Sequence, residues 1–141
     1  MFLGEFDHSL DAKGRVILPA KFRDQLEGGA VMAKALDGCL SVYPVEEFHR
    51  VAANLQEARS RGATERQAAR TYFSGAVEIT PDKQGRVAIP ADLRTFAKLE
   101  KEVKVAGNFD HLEIWDKETF IRRDQEGSAL IVGGEGINDF M

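Results

Sequence analysis

The chain contains one motif twice, and that repetition limits its folds more than any other feature. Asp11-Ala-Lys-Gly-Arg-Val-Ile-Leu-Pro-Ala-Lys-Phe-Arg23 aligns without gaps on Asp82-Lys-Gln-Gly-Arg-Val-Ala-Ile-Pro-Ala-Asp-Leu-Arg94, with seven of thirteen positions identical. Composition alone gives about one identity in such a window. The same offset of 71 pairs Phe2 with Phe73 and Gly4 with Gly75. With a one-residue shift, Leu40-Ser-Val-Tyr43 matches Leu112-Glu-Ile-Trp115, and Phe48 matches Phe120. A long period occurring twice, with the order of elements kept, means a duplicated small domain and not a solenoid.

Each copy has the same local grammar. A short strand, Gly4 to Leu10 or Gly75 to Thr80, runs into Asp-x-x-Gly. Asp opens a turn by accepting backbone hydrogen bonds, and Gly14 or Gly85 closes it where a positive φ is needed. This predicts a type I turn with a glycine bulge between two antiparallel strands. The return strands are Arg15 to Leu18 and Arg86 to Ile89, and Pro19 and Pro90 stop them at the first position of a short helix. A second hairpin follows in each copy: Ala30 to Leu36 with Cys39 to Tyr43, and Glu102 to Ala106 with His111 to Trp115.

Helices lie between and after these units. Pro44 to Leu55 sets Phe48, Val51, Ala52 and Leu55 on one face, and Gly62 interrupts it. Thr64-x-x-Gln67 reads as a capping box for a helix to about Tyr72, and Asp116 as the cap of a helix through Phe120 and Ile121. The expected organisation is a first repeat with its following helix (1–62), a second repeat with its leading helix (63–123) and an acidic, loose tail (124–141) in which Leu130-Ile-Val132 offers a short run for docking on a neighbour. A copy of this size is marginal alone, so the two should share one core. The fold class is α+β with a mainly β core.

Charge argues mildly against a polyanion partner. The chain has 19 Lys and Arg against 23 Asp and Glu. The segment from Asp124 onward holds four of those acids and no cation, which leaves a balanced body. Contact with nucleic acid then needs cations gathered locally, or contributed by several subunits. Two places qualify: Lys13 and Arg15 at one turn, Lys83 and Arg86 at the other. Arginine forms flat bidentate pairs with phosphate or with the O6/N7 edge of guanine, and a two-stranded ribbon fits a major groove. Each arginine also admits a plainer reading, a local pair with a carboxylate. For Asp11 and Asp82, turn geometry is explanation enough.

Enzyme chemistry finds little support. His8, Ser9 and Asp11 crowd one strand end, where alternation sends neighbours to opposite faces, and the second copy does not repeat them. His8, His49, His111 and Cys39 lack metal-ligand spacing, so no metal site is expected. Cys39 reads as a small buried residue, and Glu46 and Glu47 as acids at a helix start. Gly133-Gly134-Glu135-Gly136 lacks the lysine and the strand–helix context of a phosphate loop. No cofactor, small-molecule substrate or membrane segment is expected. The acidic opening Met1-Phe2-Leu3-Gly4-Glu5-Phe6-Asp7 and the single cysteine predict a cytoplasmic protein.

At the duplicated Asp-x-x-Gly-Arg unit the sequence resembles the MraZ family of bacterial transcriptional regulators, whose two repeats belong to the AbrB-like swapped-hairpin DNA-binding group. The hallmark Asp-x-x-x-Arg appears as Asp11 to Arg15 and as Asp82 to Arg86. Met1-Phe2-x-Gly4, Tyr43-Pro44, Gly107-Asn-Phe109 and Leu112-Glu-Ile-Trp-Asp116 match as well, and the similarity runs from Met1 to about Arg123. Lys13 has Gln84 opposite it, so the tips are unequal.

The resemblance implies a β-barrel of interleaved hairpins with peripheral helices and a ring-shaped homo-oligomer on the nucleoid. It implies binding to tandem G-rich repeats upstream of the division and cell-wall gene cluster, usually as a repressor. Carried over by position, Arg15 and Arg86, then Lys13, face DNA, while Asp11 and Asp82 support the tips. A competing reading is a protein-interaction module of antitoxin type, with the tail wrapping a partner.

Overall fold

The computed structural model describes all residues from Met1 to Met141. Strand β1 (Glu5–Ser9) leads through the Asp11–Gly14 turn into β2 (Arg15–Ile17). Helix α1 (Ala20–Arg23) and a 3-10 turn (Asp24–Leu26) bring the chain to the hairpin β3 (Ala30–Lys34) and β4 (Leu40–Pro44). Helix α2 (Val45–Ala58), a second 3-10 turn and α3 (Ala63–Gly75) connect the repeats. The pattern then recurs as β5 (Val77–Ile79), β6 (Arg86–Ala88), α4 (Ala91–Phe96), β7 (Glu102–Gly107) and β8 (Leu112–Asp116), closed by α5 (Lys117–Val132).

Three local expectations need correction. Pro19 and Pro90 stand one residue earlier than expected, as caps before α1 and α4. Thr64 and Gln67 form no capping box, because the chain turns helical at Ala63, directly after Gly62. Gln67 instead donates to Thr71 and accepts from Arg70. The loop expected beyond Arg123 is helix as far as Val132. Asp116 caps that helix as foreseen, accepting from the Thr119 amide at 3.0 Å and the Thr119 hydroxyl at 2.9 Å. A helix so nucleated absorbs Gly127 at about 1 kcal/mol.

Strand partners are exchanged between the repeats. β1 pairs with β7 and β5 pairs with β3, so each leading strand joins the other repeat's hairpin. With β4 on β8 at the centre, the antiparallel sheet runs β1-β7-β8-β4-β3-β5. β2 and β6 pair only with each other. The expected hairpin of β1 with β2, and of β5 with β6, is therefore absent: the turn forms, but its two strands part to separate sheets. Pairing leaves the sheet open at β1 and β5, so the implied barrel is not closed; the β2–β6 ribbon forms a layer of its own. One apolar cluster joins Val16, Leu18, Phe22 and Leu26 to Val87, Ile89, Leu93 and Leu99, the fused core that the duplication predicts.

Candidate nucleic-acid interface

Both turns are built alike from the aspartate upward. The amides of Lys13 and Arg15 donate to Asp11 Oδ1, each at 2.9 Å, and the Gly14 amide donates to the Asp11 carbonyl at 3.0 Å. In the second repeat the amides of Gln84 and Arg86 donate to Asp82 Oδ1, again at 2.9 Å. The remaining carboxylate oxygen holds the arginine. Arg15 Nε donates to Asp11 Oδ2 at 2.7 Å, and Arg86 Nε to Asp82 Oδ2 at 2.8 Å. These bonds keep both carboxylates low, the amide of the arginine contributing most; Asp82 is brought down to about 2.

The two readings of the arginines thus coexist. Each guanidinium pairs locally, but only through Nε, so both terminal amino groups of Arg15 and of Arg86 lack a partner in the chain. The side chains are 28% and 32% exposed. A fork held by its stem is pre-set for a planar acceptor pair.

The ribbon aims both forks the same way. Arg15 lies opposite Ala88, Val16 opposite Val87, and Ile17 opposite Arg86. Opposed residues in an antiparallel pair share a face, so Val16 and Val87 enter the core while Arg15 and Arg86 stand together on the outer face. As diagonal neighbours they are roughly 7–8 Å apart at the backbone. Lys13 and Lys83 are exposed in the turns beside them.

Two further cations reach these turns from the opposite repeat. The Leu18 amide donates to the Gly85 carbonyl at 2.8 Å, and the Ile89 amide to the Gly14 carbonyl at 3.0 Å. Each turn is therefore docked where the other repeat's strand gives way to its helix. Arg94, donating to the Ile89 carbonyl, lays its guanidinium over Gly14, and Arg23, donating to the Leu18 carbonyl at 2.9 Å, covers Gly85. Sequence reasoning passed over Arg23 and Arg94, although both are the last identity of the duplicated motif. The available clue was an arginine repeated at a helical position with no turn to explain it.

The remaining candidates have structural roles. Ser9 donates to Glu102, and the Asp11 carboxylate is committed to its turn. Cys39 is buried, as expected, and burial pushes its thiol up to about 12. Glu46 and Glu47 lie in the first turn of α2, where Glu47 accepts from Arg50. No helix is long and apolar enough to cross a membrane.

Comparison with known proteins agrees with this geometry. The family described as "MraZ protein, putative antitoxin-like" matches residues 1–71 and again 72–130, one stretch per repeat. A protein of Pediococcus pentosaceus named Transcriptional regulator MraZ is 48% identical over 117 residues, covering 83% of this chain and 82% of its own. Its namesake in Desulforamulus reducens is 44% identical over 129 residues, covering 92% and 91%. One in Salinispora arenicola is 42% identical over 137 residues, covering 95% and 96%. With two family matches falling on two interleaved repeats, and relatives alike over nearly their full length, this chain belongs to the MraZ family.

Proposed function

We propose that the chain is a sequence-specific, DNA-binding transcription regulator that reads guanine-rich boxes with the outer face of the β2–β6 ribbon. The observation that carries this reading is the pair of guanidinium groups on one face, each held through Nε and each keeping its terminal amino groups free. That is the donor arrangement guanine O6 and N7 accept, on an element narrow enough for the major groove. Arg15 and Arg86 read bases, Lys13 and Lys83 contact phosphate, and Asp11, Gly14, Asp82 and Gly85 hold the turns. The relatives' printed name supports the class of function.

The finer reading follows from charge. A balanced body with a few cations per ribbon binds one box weakly. A ring of copies presenting several ribbons to tandem boxes gains through effective concentration. The proposed setting is the cytoplasm, on the nucleoid, repressing the division and cell-wall gene cluster. The units are the repeats 1–62 and 63–123, with the segment 124–141 outside the reading head.

An electrophoretic shift series tests the proposal. The parent should shift a duplex with several G-rich boxes, lose affinity steeply with salt, and bind a single box poorly. Arg15→Ala and Arg86→Ala should each cost about 1–3 kcal/mol per lost base contact. Oligomeric variants that bind as well as the parent would sink the assignment. The antitoxin-type reading draws on one observation, the exposed far half of α5, and predicts a protein partner with no shift of the operator.

A further inference from the structure

Arg23 and Arg94 close the duplicated motif, and docking the turns uses little of what each guanidinium offers. Arg23 donates Nε to the Leu18 carbonyl, and Arg94 donates one terminal nitrogen to the Ile89 carbonyl. No other hydrogen bond and no ion pair engages either side chain. A carbonyl asks for one N–H, whereas a guanidinium brings five in a rigid fork. Both side chains are half-buried, and a half-buried cation without a counter-ion is costly. Arg94 covers Gly14, the residue before Arg15, and Arg23 covers Gly85, the residue before Arg86. Like charges packed on one turn repel unless an anion joins them.

Strand register sets the span between the two. Gly14 lies opposite Ile89 and Gly85 opposite Leu18, so the covered glycines mark the two ends of the β2–β6 ribbon. From Gly14 to Leu18 the strand advances about 13 Å, at about 3.3 Å per residue. The major groove of B-DNA is about 12 Å wide. A ribbon lying across that groove brings Arg94 to one wall and Arg23 to the other.

The two flanks differ in charge. A cleft beside the second turn is lined by Arg23, Asp24, Glu27 and Asp82. The matching positions of the first flank are Arg94, Thr95, Lys98 and Asp11, so a neutral residue and a cation replace two acids. Asp24, Glu27, Thr95 and Lys98 are all exposed. Lys21 and Asp92, each two residues ahead of its arginine, do not share the arginine's helix face, and Lys21 lies over the rings of Phe6 and Phe22.

We infer that Arg94 and Arg23 bind DNA phosphates, one on each wall of the groove whose floor Arg15 and Arg86 read, and that Arg94 holds the firmer grip. This rests on the proposed reading of the ribbon and adds its backbone contacts. Each repeat thereby supplies the phosphate anchor beside the other repeat's turn.

Salt titration of duplex binding by the full chain, followed by fluorescence anisotropy, tests the assignment. Each phosphate contact adds about 0.9 to the slope of log K against log salt, whatever the base sequence. Arg94→Gln, which keeps a donor for the Ile89 carbonyl, should lower that slope by about 1 per engaged copy and weaken boxed and scrambled duplexes by the same factor. Arg23→Gln should lower it less, and Arg94→Lys should keep it. A folded Arg94→Gln variant with the parental slope overturns the inference even if its affinity falls, because a residue that only docks the turn releases no counter-ions. A second pair of substitutions leaves every docking bond in place: Asp24→Asn with Glu27→Gln should tighten both duplexes, and the gain should vanish when Arg23→Gln is added. No gain, or a gain that survives that addition, overturns the inference. A parent that binds boxed and scrambled duplexes equally removes the guanine reading, while a lowered slope for Arg94→Gln still upholds the phosphate contacts. A parent that binds no duplex overturns both.

Discussion

At the scale of single residues, the site depends on how much each aspartate takes on. Asp82 accepts two amide hydrogens and the stem of Arg86, which brings it down to about 2 against 3.9 for an unfolded aspartate. A carboxylate depressed in the folded state stabilises it fully above the unfolded value, and that contribution drains away as pH falls toward the folded one. The second turn should therefore stay intact through pH 4 and loosen only near pH 2. Carbon-detected NMR of the Asp82 carboxyl should show its midpoint near 2, and a midpoint near 4 would mean that Arg86 is not held as described. The aspartate's role in the turn was legible in the sequence, because residue type and the glycine three places on define that turn. The double duty of the arginine was not: spacing shows that Arg15 can reach Asp11, not which of its nitrogens does so.

At the scale of elements, alternation of apolar residues assigns a face to each strand but names no neighbour. Val16 and Val87 were readable as inward-facing, whereas the partners of β2 and β6 were hidden because an exchanged pairing has the same period as a local one. The same limit concealed Arg23 and Arg94, whose positions matter only once each turn docks on the opposite repeat. Helix α5 escaped for another reason: Gly127 and an irregular apolar pattern mask a helix that its cap nucleates. The docked turns carry a prediction. Gly85 has φ +81°, and a Cβ there would meet the guanidinium of Arg23. Gly85→Ala should cost about 1–2 kcal/mol for the left-handed backbone and also push Arg23 off the turn. Thermal unfolding should register the first effect, and weakened DNA binding by the still folded variant the second. Gly14→Ala should behave likewise through Arg94.

At the scale of the molecule, the repeats hold each other folded. β1 finds its ladder only on β7, β5 only on β3, and β2 only on β6. Cutting the chain at Gly62 would strip β1 and β2 of their partners in one half and β5 and β6 of theirs in the other, while opening the shared cluster around Leu18, Phe22, Ile89 and Leu93. A half of that size buries too little apolar surface to offset its chain entropy. Each fragment, 1–62 or 63–141, should be largely unfolded as a monomer by circular dichroism and amide exchange. Mixed at equal concentration, the two should restore the native spectrum, because every missing ladder is supplied by the other piece. Recovery should be slow and concentration-dependent, since pairing that was intramolecular becomes bimolecular. A fragment that folds cooperatively as a monomer would show that each repeat owns a core, and the exchange of strands would then be decoration on two independent domains instead of the reason Arg15 and Arg86 share one ribbon.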